Sequence, residues 1–214
     1  MEPSAPLAII WTAEQLRDGG VVSFPTDTVY GLAGSLAHPA ALDRIFAIKG
    51  RLDDKPLPVL LASAVYLRDV ANNVAEPLRL LAERFWPGPL TVVVPARAGL
   101  PAEVLGRGER GEATVGVRVP DHFLAIDLIE RAGGAVAATS ANRSGEPPAC
   151  TAAEVAATLG GEVDILLDGG RAPVGRPSTV IAPAGDEIRI LREGAIDRAT
   201  LEAAWREIVA ETRS

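Results

Sequence analysis

One cysteine, Cys150, stands in a chain of 214 residues. No intrachain disulfide can form, and a cytoplasmic setting is expected. Histidine is almost as scarce, with only His38 and His122. Without a second cysteine or a histidine cluster, the sequence argues against a zinc site. Neither histidine has an evident serine partner, which argues against Ser-His-Asp chemistry. Aromatic residues make up 4%, so Ala, Val, Leu and Ile must fill the core. No aromatic base-stacking motif for RNA is present. No apolar run approaches a membrane span, and no basic segment precedes the short apolar LAIIW. Neither export nor insertion is expected. Basic charge is in deficit, with a net charge of −7. That argues against non-specific nucleic-acid or anionic-membrane binding as the main task. A local basic pocket inside an acidic shell stays possible.

The most informative scarcity is lysine. Lys49 and Lys55 are the only two, and the other nineteen basic residues are arginine. Both lysines lie in the stretch Val21 to Leu61. Lysine is a compact point charge and arginine a planar fork of donors, so the two are not interchangeable at a tight anion site. Lys49, Arg51 and Lys55 read as a clamp for a polyanion such as a nucleoside triphosphate, or as a basic, solvated surface turn. Lys49 falls in a last helical turn, where the helix dipole disfavours an anion. Adjacent Asp53 and Asp54 read as solvated carboxylates beside Lys55 rather than as a metal pair.

Hydrophobic residues at 48% indicate a globular chain with a substantial core. Thr12 and Gln15 form a capping-box pattern that predicts a helix from Thr12 to Gly19. Val21–Phe24 reads as a strand stopped by Pro25. Pro39 opens a helix that Gly50 ends. Further strands are expected at 57–61, 91–94, 114–119, 135–139 and 164–167, with a hairpin over 178–192. Helices are expected at 63–70, 77–85, 121–132 and 151–160, the last with a Thr151/Glu154 capping box. A final helix near Asp197 should bury Leu201, Trp205 and Ile208. Gly106 to Glu112 reads as a mobile, glycine-rich loop. The pattern predicts one α/β domain spanning 1–214, with a mixed sheet and flanking helices.

Four strand-end loops carry hydroxyl, amide or basic groups: Thr26 to Thr28, Ser140 to Asn142, Ser178 to Thr179, and Arg192 to Gly194. Ligands of open α/β sheets bind beyond strand ends, so these loops could converge. Each alone also reads as an ordinary turn. No Walker A or dinucleotide fingerprint is present.

Seven motifs occur in order along the chain: FPTDTVYGLAG at 24–34, IKGRLDDKPL at 48–57, FWPGPLTVVV at 85–94, VGVRVPDH at 115–122, TSANRSGEPP at 139–148, STVI at 178–181 and ILREGAI at 190–196. In these motifs the sequence resembles the L-threonylcarbamoyladenylate synthase family, the YrdC-like domain, in its short form without an additional C-terminal domain. The resemblance implies a twisted sheet curled around a deep, basic, concave cavity. It implies condensation of L-threonine, bicarbonate and ATP to threonylcarbamoyl-AMP and pyrophosphate. That product would pass to a complex that transfers it to adenosine 37 of tRNA. Lys49 and Arg51 would be catalytic. Lys49, Arg51, Lys55, Thr114, Ser140, Asn142, Pro148 and Arg192 would hold ATP. Thr28, Arg118, the backbone at Ala138 and Ser178 would hold threonine. No protein metal ligand is implied, and Mg2+ would ride mainly on phosphate oxygens and water. Direct tRNA binding should be weak and membrane binding absent. Three departures stand out: Leu60 where many members carry histidine, Lys55 where asparagine is common, and Arg192-Glu193-Gly194 for Arg-Pro-Gly, which should loosen that turn without moving the arginine. A carbamoyltransferase-related domain and a non-catalytic RNA-binding module are the competing readings.

Overall fold

The computed structural model describes residues 5–50 and 55–212. Arg51, Asp53 and Asp54 lie outside the described residues. The chain opens with α1 (Ala5–Arg17) and a hairpin of β1 (Val22–Pro25) and β2 (Tyr30–Ser35). Helix α2 (Pro39–Lys49) leads to β3 (Val59–Leu61), then to α3 (Leu67–Val70) and α4 (Glu76–Phe85). Next come β4 (Leu90–Pro95), β5 (Gly106–Arg107), β6 (Ala113–Arg118) and α5 (Phe123–Arg131). The second half carries β7 (Ala135–Ser140), α6 (Ala152–Leu159), β8 (Ile165–Leu166), β9 (Thr179–Ala184), β10 (Glu187–Arg192) and α7 (Arg198–Thr212).

Ten strands of the described residues form one mixed sheet, in the order β10-β9-β4-β6-β3-β7-β2-β1-β8, with β5 paired on β6. The β4–β9, β3–β6 and β1–β8 pairs are parallel and the others antiparallel. Side chains on a strand alternate between faces. Val59, Leu61, Val92, Val94, Val115, Val117, Ala137 and Ile181 point into the main core. A second core packs α1 and α5 on the β1–β2 end of the opposite face, around Leu16, Phe24, Leu128 and Val136. Beyond that cover, the same face of β3, β4, β6, β7 and β9 stays open and carries Thr91, Val93, Thr114, Gly116 and Arg118. On this open face polar residues interrupt the apolar alternation.

Two local expectations change. Thr12 does not cap a helix; it lies inside α1, and its hydroxyl donates to Ala8 O at 2.7 Å. Such i−4 bonding satisfies a threonine within a helix. The expected loop over 106–112 starts as β5 on β6 and closes by Gly108 N–H to Glu112 O at 2.8 Å. The α6 capping box is present with both reciprocal bonds. Gly50 ends α2 with φ of 65°, a left-handed cap that suits glycine. Among the described residues no helix is long and apolar enough to cross a membrane.

Candidate active site

The open face encloses a cavity of about 890 Å³. Small residues hollow its centre. Gly116 of β6 faces it, where an added Cβ would approach the Thr91 methyl at 3.4 Å. Among the described residues six cationic side chains line it: Lys55, Arg107, Arg110, Arg118, Arg189 and Arg192. Among the same residues only Glu109 and Glu112 oppose them, both at the 106–112 hairpin. A chain of net charge −7 has gathered a cationic surface inside one concavity. Such a surface attracts anions and concentrates them.

Strand β6 sets the cavity's two ends. Thr114 and Arg118 both face it, four residues apart, or about 13 Å at 3.3 Å per strand residue. Lys55 and Arg107 lie toward the Thr114 end, since β5 runs beside Ala113 and Thr114.

The Arg118 end is the more elaborately built. Arg118 is only 5% exposed. Its Nε–H donates to Gly88 O at 2.9 Å, and an Nη1–H donates to Thr28 Oγ1 at 2.9 Å. Its Nη2 pairs with Asp27, whose side chain is equally buried. A guanidinium has five N–H donors. One donor on each terminal nitrogen therefore remains without a protein partner among the described residues. Burial pulls the Arg118 pKa down from the usual guanidinium value; Asp27 opposes that and Arg192 adds to it. Thr26 Oγ1 steadies the loop, donating to Val29 O at 2.7 Å and lying 2.9 Å from Thr28 Oγ1. Leu60 pairs in register with Arg118 and adds an apolar wall beside it.

Arg192 and Ser178 close the same end. Arg192 Nη2 donates to Ser178 O at 2.9 Å and to Ser178 Oγ at 3.1 Å. Ser178 Oγ lies 2.8 Å from Thr91 Oγ1. The turn after Arg192 is well anchored: Gly194 N–H donates to Thr179 Oγ1 at 3.0 Å and Ala195 N–H to Pro177 O at 2.9 Å. A Cβ on Gly194 would lie 2.3 Å from Pro177 O, so only glycine permits this approach. The expected loosening at Glu193 has no counterpart in these bonds.

Thr28, Lys55, Thr114, Arg118, Ala138, Ser140, Ser178 and Arg192 all line this cavity. At least one member of each candidate loop is therefore brought together. Lys49, Asn142 and Pro148 are not on the wall that the described residues form. Lys49 is 3% exposed. Its ammonium donates to Ser140 O at 2.7 Å, Asn142 O at 2.9 Å and Asn142 Oδ1 at 3.2 Å. An ammonium carries three donors, and these oxygens are acceptors for it among the described residues. The Asn142 amide in turn donates to Arg143 O and Glu146 O. Lys49 and Asn142 thus shape the loop that carries Ser140, from behind the wall. Pro148 is half-buried on the segment leading to α6. The sequence reading did not single out Asp27 or Gly88. Asp27 lies in a loop it did flag, but its partner Arg118 is 91 residues away.

Comparison with known proteins follows the same outline. A family model for Sua5, YciO and YrdC, described as telomere recombination, matches residues 14–194. The chain is 40% identical over 195 residues to a Bacillus subtilis protein named threonylcarbamoyl-AMP synthase, covering 91% of this chain and 56% of that protein. It is 38% identical over 187 residues to an Alkalilimnicola ehrlichii protein of the same name, covering 87% of this chain and 93% of that one. The crystal structure of Pyrococcus abyssi Sua5 complexed with L-threonine superposes with a TM-score of 0.86 at 37% identity, over 95% of this chain and 58% of that one. The chain thus spans little more than half the length of the Bacillus and Pyrococcus proteins.

Proposed function

The chain belongs to the Sua5/YciO/YrdC family, and from that premise we propose that it is a threonylcarbamoyl-AMP synthase. It condenses L-threonine, bicarbonate and ATP, releases pyrophosphate, and hands its product to a tRNA-modifying complex in the cytoplasm. The observation that carries this reading is the cavity with two differently built ends. Arg118, with a donor on each terminal nitrogen left without a partner among the described residues, suits a carboxylate, because a planar fork matches it in two parallel bonds. Thr28 bonds Arg118 directly, and Ser178 and Ala138 line the same cavity, which supports a threonine site made with them. Lys55, Thr114 and Ser140 offer a point charge and hydroxyls for a nucleotide, and Arg192 adds its planar fork from the Arg118 end. Arg51, on the resemblance of its motif, joins them.

The chemistry fits such a wall. The amine of threonine attacks CO2 or bicarbonate, and the resulting carbamate oxygen attacks the α-phosphorus of ATP. Pyrophosphate leaves, and the protein needs no nucleophile of its own. Positioning and charge stabilisation supply most of the catalysis in such transfers. Lys49 and Asn142 act on this step through the loop that presents Ser140. Among the described residues no three His, Cys, Asp or Glu side chains gather as a metal site. Mg2+ would enter mainly on the phosphate oxygens, because it keeps several waters and binds few protein ligands in such sites.

The test is pyrophosphate release from ATP by the purified chain. It should require both L-threonine and bicarbonate. Release that ignores threonine, or that needs carbamoyl phosphate, rejects the reading.

A further inference from the structure

Asp27 is buried deep beside the Arg118 end, 5% exposed and off the cavity wall. One of its oxygens, Oδ1, pairs with Arg118. The other, Oδ2, is buried and has no hydrogen-bond partner among the described residues. His122 Nδ1 is buried without a partner as well, and the Asp27 charge acts on that imidazole. A carboxylate kept only to stabilise the fold would be expected to have both oxygens satisfied, because a half-satisfied buried charge costs stability. The arrangement makes sense through what it does to Arg118. An arginine facing an empty cavity has freedom to swing, and loses it only when an anion arrives. Here Gly88 O fixes Nε, Thr28 fixes Nη1 and Asp27 fixes Nη2. Three anchors on three nitrogens leave the guanidinium plane no rotation.

We propose that Asp27 is a positioning residue for amino-acid recognition: it locks Arg118 so that its two remaining N–H groups face an incoming carboxylate before any ligand binds. The carboxylate also offsets the buried guanidinium charge, so Arg118 holds its place in the empty site. Such preorganisation raises affinity by removing an ordering cost from the binding step. The proposal rests on the reading of this end as the threonine site.

The experiment is calorimetric titration of the parent and Asp27→Asn with L-threonine, and separately with ATP. Asparagine keeps the shape and removes the charge. Threonine affinity should fall at least tenfold while ATP affinity stays within twofold. A purely structural role would lower both affinities together with Tm. Equal threonine affinity in parent and variant overturns the proposal alone. If the parent itself fails to bind threonine, the functional reading falls and the proposal falls with it. Nitrogen-15 NMR of arginine side chains in the ligand-free parent tests the same point without a variant at Asp27. The Arg118 resonances, identified by their loss in Arg118→Lys, should show slowed rotation about the Cζ bonds before threonine is added. Free rotation that stops only on addition of threonine would overturn the proposal.

Discussion

Replacing Lys49 by arginine keeps the charge and changes the shape, and so separates geometry from electrostatics. The Lys49 ammonium sits at 3% exposure among three oxygens at 2.7 to 3.2 Å. These acceptors converge on a point, whereas guanidinium donors diverge in a plane. The larger head must push against β7 and the Ser140–Asn142 loop, and overpacking of this kind costs about 1–3 kcal/mol. A destabilisation of ~2 kcal/mol in a chain of this size lowers Tm by about 4–8 °C. Burial of Lys49 is what makes the change costly to stability. Because the loop presents Ser140 to the cavity, catalytic efficiency should also fall at least tenfold, or about 1.4 kcal/mol of transition-state stabilisation. Lys55→Arg, at an exposed position, should leave Tm unchanged to within about 1 °C and lose less activity than Lys49→Arg. Arg68→Lys, on exposed α3, should be silent in both measurements. The assays are thermal melting and threonine-dependent pyrophosphate release. If Lys49→Arg matches the parent in Tm and in rate, Lys49 does not hold this loop and the reasoning fails.

Three further outcomes are expected. L-Serine lacks only the methyl of threonine, a contact worth about 1–3 kcal/mol, so serine should be a poor but detectable substrate; equal turnover would show that no wall, Leu60 included, reads the methyl. The purified chain should bind tRNA weakly at physiological salt, because net charge is −7; a tight, saturable complex in a filter or mobility assay would contradict this. Burial pulls the His122 imidazole below its ordinary value, so the folded state binds fewer protons than the unfolded chain. Stability should therefore fall as pH drops below about 6.5, and His122→Gln should flatten the slope of Tm between pH 7.5 and 5.5; an unchanged slope would remove His122 from the account.

Much of the fold was legible because local chemistry and packing agree. Pro39 and Gly50 bracket α2, the Thr151/Glu154 box opens α6, and the 3.6-residue spacing of Leu201, Trp205 and Ile208 buries α7. The start of α1 was misplaced because Thr12 also bonds well inside a helix, through Ala8 O. The cavity face was legible at strand ends, where Thr28, Ser140, Ser178 and Arg192 interrupt apolar runs. What the sequence left hidden is the direction of side chains at long separation. Nothing near Lys49 in sequence shows that its ammonium donates to Ser140 and Asn142, more than ninety residues away. Asp27 reads as a turn residue until Arg118 is placed against it.

The central claim is that this cavity joins a threonine carbamate to the α-phosphorus of ATP. The most direct measurement supplies carbon-14 bicarbonate with L-threonine, ATP and Mg2+, and follows the label by chromatography and mass spectrometry. The account predicts a labelled adenylate containing one threonine and one carbonyl carbon, absent when threonine is withheld. Label that never enters an adenylate, or an adenylate formed without threonine, would contradict it.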